Sequence, residues 1–190
     1  MRVRFLALFF LAFAALTPLS HALTMNELRA MPGLTPTRFA KLFSTFAYKF
    51  HAEVQPHDIF LTTKSGDCDD FATVAAEVLE HDGYTPRMIA IRMKGETHVV
   101  CYIAEEQGYL DYNTRKDKYP IVPCRPDITA IATKVAAGFG RDWVATYEFT
   151  YSPKEDLKRL VNNIIPNPSV SNVANVAKNL NAEARYGAKR

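Results

Sequence analysis

The chain reads as an α+β protein, with helices in its N-terminal part packed on a small antiparallel sheet. Three observations lead there. The first stretch after the leader carries apolar residues at helical spacing. A second such stripe begins at Cys68. Past Gly83 the pattern changes to period two, with turn residues every few positions.

The elements follow in order. Thr35 suits an N-cap and Pro36 a first helical residue, and Phe39, Leu42, Phe43, Phe46 and Phe50 make one apolar face. The loop "HAEVQPHDIFLTTKSG" connects this helix to the next. In "KSGDCDDFATVAAEV" the apolar positions Phe71, Val74, Ala75, Val78 and Leu79 predict a helix over residues 68–82. Asp67 is its N-cap, Asp70 completes a capping box, and Gly83 stops it. "TPRMIAIRM", "HVVCYI" and "GYLDYN" predict three strands, joined by Lys94-Gly95-Glu96 and by Glu105-Glu106-Gln107-Gly108. Connections this short predict antiparallel pairing. Trp143 to Tyr151 predicts a fourth strand. A proline-punctuated loop and a weak helix lie before it, and "SPKEDLKRLVNNII" after it reads as a helix capped by Ser152.

The 190 residues suffice for one ordinary domain, with no internal repeat. Residues 1–22 carry Arg2 and Arg4, an apolar run from Phe5 to Leu16, and a small-x-small site at Ser20-His21-Ala22. That pattern predicts a cleaved secretory leader. As a helix the run measures about 18 Å, too short for a hydrocarbon core of about 30 Å. The expected organisation is a leader (1–22), one domain (23–165) and a loose tail (166–190). The mature form is expected to be periplasmic or secreted, with no membrane span. The net charge of +3 comes from the two ends, since the leader has Arg2 and Arg4 and the tail has Lys178, Arg185, Lys189 and Arg190 against Glu183. The body between is mildly acidic, which argues against a nucleic-acid partner.

Cys68, Cys101 and Cys124 are the three cysteines. In an oxidising compartment an odd count leaves a thiol over. Either Cys101 and Cys124 pair, or Cys68 is itself a disulfide partner. Cys68 in a first helical turn faces free backbone N–H groups and the positive end of the helix dipole, a setting that activates thiols. The alternative is a small buried residue that only packs. Strand alternation puts His98, Val100 and Tyr102 on one face and Val99, Cys101 and Ile103 on the other. Tyr109, Asp111 and Asn113 share a face in the next strand. If the Cys68 helix packs on the His98 face, thiol, imidazole and the Asp111 carboxylate converge and Cys101 is excluded. Such a set suits acyl transfer. The thiolate attacks a carbonyl carbon, the imidazole moves the proton, and the carboxylate orients the imidazole. The Cys68 N–H at the helix start can serve the oxyanion.

"GDCDDFA", "THVVCYI" and "GYLDYN", in that order and spacing, resemble the transglutaminase-like superfamily of cysteine enzymes, particularly its bacterial members. The resemblance covers roughly residues 54–113. It implies a papain-like core with Cys68 as nucleophile, His98 as base and Asp111 as orienting acid. The superfamily includes peptidases, amidases, amide cross-linkers and inactive members. The expected activity is therefore hydrolysis of a protein or peptide amide through a thioester. Amine transfer is the second enzymatic reading, and a non-catalytic binding module with a structural Cys68 is the rival. "GDCDDFA" is also similar to a segment of periplasmic adhesin-cleaving proteases, which need calcium, but Asp67, Asp69 and Asp70 lack the glycine turn of a calcium loop. No metal and no cofactor is assigned. Gln55 is a candidate second oxyanion donor or a loop hydrogen-bonding residue, and Asn113 a candidate alternative orienter. His51, His57 and His81 lack ligand-like spacing and are expected at the surface or in loops.

Overall fold

The computed structural model describes residues 23–155 and 157–169. The leader expected over 1–22 and residues 170–190 of the expected tail lie outside the described residues. In chain order the helices are α1 (Met25–Arg29), α2 (Pro36–Leu42), α3 (His57–Thr63), α4 (Cys68–His81) and α5 (Ile128–Gly138). The strands are β1 (Ala47–Tyr48), β2 (Ser65–Gly66), β3 (Pro86–Met93), β4 (Glu96–Ile103), β5 (Gly108–Leu110), β6 (Ile121–Pro123), β7 (Trp143–Ser152), β8 (Leu157–Leu160) and β9 (Ile165–Pro166). A 3₁₀ turn spans Tyr112–Thr114. Among the described residues no helix is long and apolar enough to cross a membrane.

The architecture is α+β, as the sequence predicts. One antiparallel sheet runs β6-β5-β4-β3-β7-β8, with β9 also paired to β7. A small parallel pair, β1 and β2, stands beside it. Each face of the main sheet is covered. Met88, Ala90, Val99, Cys101, Ile103 and Leu110 pack under α4 and the N-terminal helices. Ile89, Ile91, Val100, Tyr102 and Tyr109 pack against α5. This is period-two alternation with both faces dry, which only two covering layers can produce. The α4 layer is dense in rings: Phe43 sits 4.7 to 5.6 Å, centroid to centroid, from Phe39, Phe46, Phe60 and Phe71. Rings at this spacing add to their area burial.

Four expectations change. Helix α2 ends at Leu42, and Phe50 is 73% exposed rather than on a core face. The segment expected as a helix after Ser152 forms instead the β7–β8 hairpin, with Ser152 opposite Leu157. Its helical cap signals were outweighed by pairing to an available strand edge. Strand β5 stops at Leu110, so Asn113 belongs to the 3₁₀ turn. The domain also runs past residue 165: Pro166 pairs with Ala145, and buried Asn167 donates to the Trp143 carbonyl at 2.7 Å.

Candidate active site

Asp67 caps α4, accepting from the Asp69 N–H, while the Asp70 carboxylate reaches back to the Asp67 N–H at 3.0 Å. Gly66 has a mechanical reason to be glycine. A Cβ there would lie 2.5 Å from the Phe60 ring and against the Asp70 carboxylate. The helix is buried on more than its apolar stripe. Asp70 and Thr73, which lie off that stripe, are buried too. Gln55 lies over that side: its backbone N–H and its Nε2 donate to Asp70 at 2.7 and 2.6 Å.

Cys68 is 9% exposed and packs in the α4 layer together with Cys101. The sequence reading needed α4 to lie on the His98 face. It lies on the opposite face, the one that carries Cys101. His98 nevertheless reaches the sulfur. Strand β5 pairs with β4 only at Cys101, Tyr102 and Ile103, so among the described residues β4 has no paired strand beside His98 on that side. A ring at an open strand edge can meet groups from either layer. His98 Nε2 lies 3.0 Å from Asp111 Oδ1, and Cys68 lies close enough to the ring to act on its protonation. Phe139, at the end of α5, meets the imidazole edge-on at 4.8 Å.

Burial works against a charged His98. The hydrogen bonds to Asp111 and Cys68, and the charges of both, outweigh it and hold the imidazole up at about 10. The charged form of the ring is thus favoured beside the sulfur. Asp111 also accepts from the Asn113 N–H at 2.8 Å, which fixes its carboxylate at the start of the 3₁₀ turn.

The remaining candidates fall as follows. Both N–H bonds of the Gln55 amide are committed, to Ser65 O at 3.1 Å and to Asp70, so Gln55 takes the loop role and not that of oxyanion donor. Asn113 offers Asp111 its backbone, and its side chain is exposed; it is not an alternative orienter. His57 is buried in α3 against Glu77, Nδ1 to Oε2 3.2 Å, where a surface residue was expected. His51 donates its backbone N–H to Asp67 at 2.8 Å. Burial first, then the hydrogen bond with Asp69, push Asp67 up to about 7. Burial alone pushes Cys101 up to about 12. Cys124 packs against the α5 side, across the sheet from Cys101, and all three cysteines are free thiols.

Sequence reasoning missed three supports. Arg115 is buried; it donates to Phe43 O at 3.0 Å and Phe46 O at 2.5 Å, and lies 3.6 Å over the Tyr112 ring. It ties the turn that follows Asp111 to the α2 end. The Tyr112 hydroxyl donates to Ala47 O at 2.8 Å and anchors β1 to the same turn. Phe139 covers His98. None of these three has a periodic or motif signal, and Arg115 sits in a run, "TRKDK", that reads as solvated.

The chain matches no protein-family model and no curated protein. Among solved structures it is similar to Legionella pneumophila LapG in the calcium-bound form, at 16% identity over 82% of this chain and 84% of that one, with a TM-score of 0.44. The EGTA-treated form of LapG is similar at 15% identity over 82% and 83%, with a TM-score of 0.42. A likeness at this level assigns no residue a role.

Proposed function

We propose that this chain is an exported thiol enzyme that cleaves protein or peptide amides by acyl transfer through Cys68. The observation that carries the reading is His98. One buried imidazole hydrogen-bonds the Asp111 carboxylate, and the first-turn cysteine Cys68 lies beside the same ring and acts on its protonation. That is the relation a thiol nucleophile, its base and an orienting acid require.

The steps follow from the groups in place. The Cys68 thiolate attacks the amide carbonyl carbon, and the carbonyl electron pair moves to oxygen. Backbone N–H groups at the start of α4 meet that oxyanion; the Asp67 side chain caps the N–H of Asp69 rather than that of Cys68. The oxyanion collapses, the C–N bond breaks, and the His98 imidazolium gives its proton to the leaving amine. A thioester and a neutral imidazole remain. Water then attacks the thioester and yields its proton to His98, and the acid departs as the thiolate reforms. Asp111 holds the ring and favours its charged form throughout. An amine in place of water would give cross-linking by the same acyl-enzyme.

Labelling with iodoacetamide, followed by peptide mapping at neutral pH, tests the reading. Cys68 is expected to label, and His98→Ala to slow it about tenfold or more, because the imidazolium beside the sulfur is lost. Equal rates with and without His98, or Cys68 found in a disulfide in active material, would sink it.

A further inference from the structure

The segment from Ala47 to His51 runs alongside the residues that lead into Cys68. Tyr48 stands opposite Gly66 in the β1–β2 ladder. The Ala47 N–H donates to Lys64 O and the Lys49 N–H to Gly66 O, each at 2.8 Å, and the His51 N–H reaches the Asp67 carboxylate. On its other flank the Tyr48 ring lies 6.2 Å, centroid to centroid, from Tyr112, the residue after Asp111. Tyr48 is thus held between the start of α4 and the turn that follows Asp111. Burial, then the charge of Cys68, raises its phenol above the ordinary value, which agrees with that placement. Yet Tyr48 is 60% exposed, while Tyr112 beneath it is wholly buried. Leaving an aromatic ring this open forgoes much of the gain that burial brings.

We propose that Tyr48 is a specificity-determining residue of this site. Its ring packs against an apolar or aromatic side chain flanking the scissile amide, and the preferred substrate is an extended apolar peptide segment. The proposal rests on the acyl-transfer reading. The backbone of β1 suits such a peptide. Among the described residues β1 pairs with β2 alone, and strand alternation turns the Tyr48 N–H and C=O to the unpaired edge, where a peptide backbone finds a donor and an acceptor. Phe50, also exposed, adds a second open ring to the same strip. Phe139 meets His98 from the α5 layer, while Tyr48 stands on Tyr112 of the α4 layer, so the two rings flank the site from opposite faces of the sheet. Selection by charge is disfavoured, because the nearby acids already have cations: Glu96 pairs with Arg141 and Asp69 with Lys158.

The test alkylates Cys68 with two reagents that share one reactive carbon, iodoacetamide and N-benzyliodoacetamide. Each rate is read by peptide mapping and divided by the same reagent's rate on N-acetylcysteine. The ratio of the two results cancels the intrinsic reactivity of the thiol and leaves the reception of the benzyl group. In the full chain the ratio is expected to favour the benzyl reagent about tenfold. Tyr48→Ala is expected to abolish that preference, and Tyr48→Phe, which keeps the ring, to retain it. No preference in the unaltered chain would overturn the proposal, and so would a preference that survives in a Tyr48→Ala variant folded by circular dichroism. On a library of internally quenched peptides, Tyr48→Ala should lower kcat/KM about tenfold more for peptides with an aromatic or branched apolar residue beside the scissile amide than for those with glycine there. Equal losses across the library would overturn the proposal as well. Failure of the acyl-transfer reading shows elsewhere, in absolute labelling rates that His98→Ala leaves unchanged for both reagents.

Discussion

The first turn of α4 and the middle of β4 each hold a cysteine in the same layer, and both side chains are nearly out of water. Cys101 is wholly buried among Met88, Val99 and Ile103, and burial is the one influence on it. Cys68 is scarcely more exposed, but it meets an imidazolium and the start of a helix. Burial alone makes a thiol inert; a cation and backbone donors make a buried thiol useful. The layer that holds both is filled with packed phenylalanines, and Cys68 lies at its polar rim beside His98.

The sharpest way to break that comparison is the same substitution at both positions. Cys68→Ser should abolish amide cleavage, measured on a peptide library, and leave the urea midpoint almost unchanged, since it leaves no large cavity. Cys101→Ser should do the reverse, retaining cleavage while costing about 1–3 kcal/mol, because a hydroxyl in an apolar site loses its hydrogen bonds to water. Loss of cleavage in both would mean that Cys101 is not a spectator.

A second test uses pH. His98 is held at about 10, above its ordinary value of 6.5. A raised value in the folded state means that the charged ring favours folding. That contribution is fully present below pH 6.5 and is lost as pH rises through about 10. Urea midpoints of the unaltered chain should therefore drop between pH 9 and pH 11, as an order-of-magnitude window around that value, by more than those of His98→Gln. Parallel curves would mean that the ring is not charged beside the sulfur.

The smallest effect is expected at Asp67. Its carboxyl is raised to about 7 from 3.8, so the folded state holds a proton that the unfolded chain has released. Stability from this group is present below pH 3.8 and lost as pH rises through 7. Asp67→Asn keeps an N-cap acceptor and removes the titration. Its melting midpoint should vary less between pH 4 and pH 7 than that of the unaltered chain, by a few degrees at most.

Local rules carried much of the fold. Helix α4 begins at its expected cap and ends one residue before its expected end, because N-cap chemistry and a 3.6-residue stripe are properties of a short window. Strands β3 and β4 and the turn at Gly95, with φ of 80°, follow for the same reason. Cys68, His98 and Asp111, the candidates that residue type and placement single out, lie together in the fold. The expected route to their convergence differs from the observed one. It required α4 to cover the His98 face, and α4 covers the other.

What the sequence determined by itself was the set of elements whose signals are local: the α4 cap, the alternating strands, and a cysteine at a helix start. Tertiary structure decided the rest. It chose which face α4 covers, since either apolar face of an alternating strand can be dry. It opened the strand edge beside His98 by ending β5 at Leu110. It turned the segment after Ser152 from an expected helix into a hairpin, and so set Lys158 on Asp69. It buried Arg115, whose partners Phe43 and Phe46 lie about seventy residues earlier. The reason is common to all four: each depends on a partner distant in the chain, and no window of sequence records which distant surface will be there to meet it.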